Sequence, residues 1–335
     1  MRALGAAGLL AFLLAACGGS AAPASAPTSA AAGKPEKDHI KLLYATASGE
    51  QTFMELASQK GFFQKYGLTV DVEYAQGNTG IASLSSGEAQ MDMADGVTAI
   101  ESTVAGNPLK VIAVFDKTSP YMIAALPEVN SVADLKGKAV AVGKLGDTSD
   151  VSMRIALKDS GLTPGKDFTI QQIGNSPARW AALSSKQVPA AILDEEAYAK
   201  QATDQGMHIL VNLHQQKLPY VASALVLTPA FAQQNPNTVV ASLRGMMDGV
   251  AYFADEKNKA EVTALMGKLL RTEGGDAKLE EIYQAYHTRP STDPTPDRQG
   301  MDSVIGAMKQ IDPQRYGSIT TDQVIDPSFM AKLKP

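Results

Sequence analysis

Leu84-Ser85-Ser86-Gly87-Glu88-Ala89-Gln90-Met91-Asp92-Met93-Ala94-Asp95 has an echo further along the chain, Leu183-Ser184-Ser185-Lys186-Gln187-Val188-Pro189-Ala190-Ala191-Ile192-Leu193-Asp194. Each residue of the second stretch stands 99 positions after its counterpart, as with Leu84 and Leu183 or Asp95 and Asp194. Both read as the end of a helix, a tight turn, a short apolar strand and an acidic residue where the strand stops. A short apolar run bounded by turn residues and preceded by helical periodicity marks an α/β unit. The same unit recurring with the same internal spacing says that the chain builds one plan twice.

The elements on either side repeat as well. Before the first echo, strands are predicted at 40–44 and 68–74 and a helix at 50–60; around it come a helix at 79–86, a strand at 91–94, a helix at 97–105 and a strand at 109–115. The second pass has strands at 139–142, 168–172, 190–193 and 208–211. Its helices fall at 148–160, 177–185 and 195–203, with Pro177 at the first helical position that favours it. Strands alternating with helices predict mostly parallel, doubly wound α/β sheets. After residue 221 a strand at 222–227 leads into helices. Val239, Leu243, Met246, Met247, Val250 and Phe253 form one apolar stripe, and Val262, Leu265, Met266, Leu269 and Leu270 another. Two crossings, placed near 121–127 and 218–224, return these helices to the first lobe. Lobe one is then 39–122, lobe two 123–221, and the mostly helical return 222–335.

Composition narrows the function. Of 335 residues, 44% are hydrophobic and 19% charged, with a formal net charge of -5, the balance of a globular protein without the clustered Lys/Arg that nucleic acid needs. Cys17 is the only cysteine, which excludes an internal disulfide and a thiolate metal cage.

Residues 1–16 carry one positive charge, Arg2, and an apolar run too short to span a bilayer. They read as a signal peptide. The run ends in Leu14-Ala15-Ala16-Cys17, which resembles the lipobox of bacterial lipoproteins and so implies acylation of Cys17. Residues 17–38, rich in Gly, Ser, Ala and Pro, read as a flexible tether from that anchor.

Catalytic motifs do not assemble. His39, His208, His214 and His287 form no metal-ligand pair. Gly161-Leu162-Thr163-Pro164-Gly165-Lys166 is one residue short of a phosphate loop, and Asp167 stands where its Ser/Thr belongs. No G-x-S-x-G elbow and no strand-following G-x-G-x-x-G occurs. No cofactor and no metal is expected.

In open α/β sheets ligands bind beyond the carboxyl ends of the strands. The junctions there are small and polar, and helix N-termini supply free N–H groups. They nominate Ser48, Gly49, Asn78, Thr79 and Asp95 in lobe one and Thr148 and Ser149 in lobe two. Arg179 offers a fork for a carboxylate or sulfonate, Trp180 a stacking wall, and Tyr121 a contact from a crossing segment. Asp95, Asp147, Asp194 and Glu195 would repel a simple anion, so either they cap helices or the ligand carries a donor or a positive group.

Gly61-Phe62-Phe63-Gln64-Lys65-Tyr66-Gly67-Leu68-Thr69-Val70 resembles the GFF-x-K-x-GL-x-V signature of nitrate/sulfonate/taurine-type substrate-binding proteins of ABC transporters. Leu84-Ser85-Ser86-Gly87-Glu88 with Asp92 is similar to their AL-x-SGE-x-D, and Ser131-Val132-Ala133-Asp134-Leu135-Lys136-Gly137-Lys138 to their S-x-DLKGK. The likeness runs in the family's order over about 40–230. It implies a type II periplasmic-binding fold that closes on a small organic molecule (a sulfonate, a taurine-like solute, an aromatic carboxylate or a pyrimidine). The implied partner is a permease with a cytoplasmic ATPase, and the implied state an exported monomer touching the membrane only through its lipid. Enzymes on the same scaffold and ligand-binding sensory subunits are the alternatives. Lys186 and Pro189 stand where many relatives have glycine and aspartate, which is expected to alter a turn.

Overall fold

The computed structural model describes residues 33–45, 48–75, 79–270 and 275–333. Its framework is two five-stranded sheets. The first holds β1 (His39–Tyr44), β2 (Thr69–Tyr74), β3 (Met91–Ala94), β4 (Lys110–Thr118) and β10 (Pro219–Leu227). The second holds β5 (Tyr121–Ala125), β6 (Ala139–Val142), β7 (Thr169–Gln172), β8 (Ala190–Asp194) and β9 (His208–Asn212).

The strand orders are β2-β1-β3-β10-β4 and β7-β6-β8-β5-β9. Matched by position, they are one order used twice. In each sheet a parallel trio is joined by an antiparallel strand that arrives from the other lobe: β10 beside β3 and β4, β5 beside β8 and β9. The central strands are buried on both faces and almost wholly apolar, as strands covered by helices on either side must be. Two apolar clusters flank each sheet.

The crossings lie earlier than the sequence placed them. Residues 121–125 and 219–227 are ladder strands, and the chain passes between sheets at Ser119-Pro120 and again over Leu213–Leu218. Apolar side chains at Met122, Ile123 and Ala124, each fully buried, explain why the first of these segments joins a sheet and does not bridge two. Both arriving strands start at the carboxyl end of an antiparallel neighbour, since Tyr121 pairs with Asp194 of β8 and Pro219 with Thr118 of β4, and β10 then runs past the end of β3, where Ala224 pairs with Ala94. The crossings therefore form one side of the space between the lobes.

The helices after β10 pack mainly on the first sheet. Pro236–Ala254 lies against Thr52–Gln59, where Gly249 lets the two backbones approach: a Cβ there would stand 2.4 Å from the Phe53 carbonyl oxygen. Arg298–Ile311 covers β10 and also meets Thr148–Leu157 of the second lobe, bringing Val151 into a cluster with Val304 and Tyr220. Among the described residues no helix is long and apolar enough to cross a membrane.

Candidate functional site

A cavity of about 470 Å³ opens where the carboxyl ends of the two sheets face each other, within the usual range for small-molecule sites. Its first wall is built just after β1. Ser48 precedes a single 3-10 turn, Gly49–Gln51, which turns Glu50 inward until only 6% of its surface is exposed. Gly49 is needed for this packing, because a Cβ would stand 2.5 Å from Met266 and 2.6 Å from Tyr286. Gly49 is thus a packing position and not a wall of the cavity.

Asp92 forms the floor. It sits in Met91-Asp92-Met93-Ala94 with its neighbours turned to the apolar core, and is itself 3% exposed. Gly80, at the start of the preceding helix Thr79–Ser86, makes room for it: a Cβ there would stand 2.2 Å from Asp92 Oδ2. Neither Asp92 Oδ1 nor Glu50 Oε1 has a hydrogen-bond partner. Removal from water, with Asp116 adding to it against the opposing Arg289, pushes the Glu50 carboxyl up to about 8. Burial, opposed by a backbone hydrogen bond from Met93, pushes Asp92 up to about 7.

Among the contacts between the lobes in the described residues, two polar ones stand beside the cavity. Asp95 caps the helix Gly96–Val104 by accepting Thr98 N–H at 2.7 Å on Oδ1, while its Oδ2 accepts the Thr148 hydroxyl at 2.6 Å from the other lobe. At the other point Arg289 follows the helix Gly275–Tyr286 on a segment bonded to β4 through Ser291 and Pro294. Its guanidinium pairs with Glu196 and lies 3.7 Å from Glu195, 3.9 Å from Asp116 and over the Tyr286 ring. Burial, opposed by Arg289, pushes Glu196 up to about 7.

Of the residues the sequence nominated, Ser48, Asp95, Tyr121 and Thr148 line the cavity. Asn78 and Cys17 lie outside the described residues. Thr79 begins its helix away from the cavity wall. Ser149 is occupied at home: its hydroxyl donates to Asp147 at 2.6 Å and accepts Gly143 N–H at 2.7 Å. Arg179 offers no fork to a ligand, because its three nitrogens donate to the carbonyls of Ile192 and Gly174 and to Ser176 Oγ. Trp180 stacks on Tyr198 at 5.3 Å within a cluster of the second lobe, not on the cavity. Sequence reasoning missed Glu50, Asp92, Asp116, Glu196 and Arg289 as wall residues. Asp92 carried a readable signal, since an acid inside a four-residue apolar strand needs a reason. Arg289 carried none, because only the return of the chain brings it to the cleft. Among the described residues no group of three or more His, Cys, Asp or Glu is placed to hold a metal ion.

Residues 49–260 match the family model described as NMT1/THI5 like. The riboflavin-binding protein RibY of Chloroflexus aurantiacus is 27% identical over 258 residues, 72% of each chain. Among solved structures, a putative sulfonate ABC transporter's periplasmic sulfonate-binding protein SsuA, from Methylobacillus flagellatus, superposes with a TM-score of 0.68 at 18% identity, covering 88% of this chain and 93% of that one. The periplasmic aliphatic sulphonate binding protein SsuA of Escherichia coli gives 0.66 at 16%, covering 89% and 92%. The periplasmic nitrate-binding protein NrtA of Synechocystis gives 0.65 at 18%, covering 89% of each. The two-lobed architecture is therefore that of the periplasmic binding proteins.

Proposed function

Because the chain belongs to the NMT1/THI5-like family, we infer that it is the solute-binding component of an ABC import system, taking a small organic molecule between its lobes and delivering it to a permease driven by a cytoplasmic ATPase. The observation that carries this reading is a cavity whose walls come from both lobes, with the Thr148–Asp95 hydrogen bond and the Arg289–Glu196 pair spanning the gap beside it. A site assembled only when two lobes meet couples binding to closure, since a ligand with contacts to both favours the closed state. Such coupling is what a permease needs to tell a loaded carrier from an empty one. The protein binds its solute and does no chemistry on it, acts as a monomer outside the cytoplasm, and is held at the membrane by acylated Cys17.

The solute classes to test are sulfonates, taurine-like molecules, aromatic carboxylates and pyrimidines, to which the name of the Chloroflexus relative adds riboflavin. The test is thermal denaturation of protein unfolded and refolded to strip any retained ligand. A solute at ~1,000 times its Kd adds about 4 kcal/mol, or roughly 8–16 °C at 2–4 °C per kcal/mol. One class should give such a shift, and deletion of the gene should abolish its uptake. Absence of both effects for every class would overturn the reading. Cys17→Ser should move the protein from the membrane fraction to the soluble one; continued membrane association would overturn the anchor.

A further inference from the structure

The chemistry of the cavity departs from what an anion needs. Six of its lining residues are carboxylic acids (Glu50, Asp92, Asp95, Asp116, Asp194 and Glu196), and Arg289 is the only lining cation among the described residues. That arginine is already surrounded, with Glu196, Glu195 and Asp116 all within 4 Å of its nitrogens. A nitrate or sulfonate placed here would meet six carboxylic acids and one cation, whose charge three acids already share although its Nε makes no hydrogen bond.

Two of the acids point to what the site does accept. Glu50 and Asp92 are more than nine-tenths buried, line the cavity, and each keeps an oxygen without a hydrogen-bond partner. A buried polar atom without a partner costs stability, so its presence on a cavity wall marks where a ligand's donor belongs. The other walls include Tyr121, Tyr220 and Tyr286, whose rings suit a flat or apolar body, and tyrosine faces attract cations.

Building on the solute-binding reading above, we propose that the solute is an organic cation, a protonated amine or amidine on an aromatic or apolar body, whose N–H groups are received by Glu50 and Asp92. In the empty cavity, burial keeps these carboxyls closer to their neutral form than in water. An arriving cation replaces that proton with its own donors, so binding near neutral pH releases protons to the medium.

The test uses three probes of one shape: benzamidine, a cation; benzamide, its neutral counterpart; and benzoate, an anion. Isothermal titration of the refolded protein should show benzamidine binding at least tenfold more tightly than benzamide, no heat with benzoate, and proton release when two buffers of different ionisation heat are compared. Asp92→Asn and Glu50→Gln keep the shape of each side chain, and each should weaken benzamidine at least tenfold while the protein still melts cooperatively. Benzamidine binding that neither variant alters would overturn the assignment of these two acids. Tighter binding of benzoate, taurine or ethanesulfonate would overturn the cation while leaving the solute-binding reading in place. Silence from all of these would overturn the cation; silence also from pyrimidines and riboflavin, with uptake unchanged on deletion, would overturn both.

Discussion

In the first lobe Gly80 opens the helix before β3 and Asp92 stands within that strand; in the second lobe the matching positions before and within β8 hold Arg179 and Ala191. The small residue and the charged one have changed places. Where the helix residue is glycine, the strand's carboxylate fits beneath it and reaches the cavity. Where the strand residue is alanine, the helix supplies a buried arginine that donates to Ile192, Gly174 and Ser176. One backbone unit thus yields a wall with an unanswered acceptor in one lobe and a closed internal network in the other. Duplication fixes the framework, and the side chains decide which copy carries ligand chemistry.

The sharpest way to break this comparison is Arg179→Ala. If the arginine is internal, its loss removes three hydrogen bonds and leaves a void, at a cost of about 3 kcal/mol or more. The melting midpoint should fall by roughly 6–12 °C, while solute affinity, measured well below that temperature, stays within about twofold. Unchanged stability with lost affinity would place Arg179 in the site and undo the contrast between the lobes.

The acidic copy should also announce itself through pH. Glu50, Asp92 and Glu196 hold their protons more tightly folded than unfolded, because burial opposes their charge. The folded state then binds more protons than the unfolded one between the ordinary carboxylate range and about 7–8, and stability falls as pH rises through that window. Glu50 faces Asp116, Glu196 and Arg289, of which the two acids steepen the fall and the arginine moderates it. Groups held low, such as Glu36 with its bonds from Asn237 and Thr238, titrate below the window, whereas His214, whose pKa burial and Arg289 lower from 6.5, titrates inside it and works in the opposite sense, offsetting part of the fall. The ligand-free protein should melt several degrees lower at pH 8 than at pH 5.5, and Asp92→Ala, which gives the first lobe the residue of the second, should shrink that difference. A flat profile would mean that the acids of the first lobe are better solvated than their burial implies.

The duplicated plan was legible because helix–turn–strand order is written in local periodicity, and the 99-residue spacing joins the two copies. Asp95 and Thr148 were legible for the same reason, since both stand at strand-to-helix junctions. Two kinds of residue were not. Arg179 and Trp180 attracted attention by type, yet their direction depends on what lies beneath the helix, and the Ile192 carbonyl on the next strand is what receives the arginine side chain. Glu50 and Arg289 meet through Asp116 from three distant parts of the chain, and no local pattern records such a meeting. The crossings were placed late because Met122-Ile123-Ala124 reads equally as a strand or as a covered linker until its sheet is known.

The contact between the lobes offers a smaller effect. Thr148→Val keeps the shape and removes the donor to Asp95 Oδ2. A hydrogen bond to a carboxylate contributes about 1.5–3 kcal/mol when buried and less at a half-exposed cleft, so a loss of about 1 kcal/mol is expected, felt mainly by the closed form. Small-angle scattering of the ligand-free variant should show a larger radius of gyration, and solute should dissociate several times faster. An unchanged radius and an unchanged off-rate would show that Arg289 and the packing of Val151 hold the lobes without this bond.

The smallest effect isolates the backbone that the two copies share. Gly87 and Lys186 occupy the same turn, their N–H groups donating to Leu84 and Leu183 at 3.2 and 2.9 Å, and both have positive φ, 79° and 60°. The lysine leaves the turn unaltered, against the expectation from sequence, by adopting the conformation that glycine would have taken. For a residue with a Cβ the left-handed region costs about 1–2 kcal/mol, and the extra freedom of glycine in the unfolded chain offsets about 0.5–1 of that. Lys186→Gly should therefore stabilise the protein by about 0.5–1 kcal/mol, and Gly87→Lys should destabilise it by a similar amount. Both sites are exposed, and a Cβ at Gly87 would meet nothing within 4 Å, so no packing change obscures the comparison. Equal and opposite shifts in chemical denaturation would show that the copies are interchangeable at the turn and differ only where they face the cavity. A Gly87→Lys cost well above its counterpart would mean that the turn of the first lobe is also held from the cavity side, through Ser83 and the helix that seats Asp92.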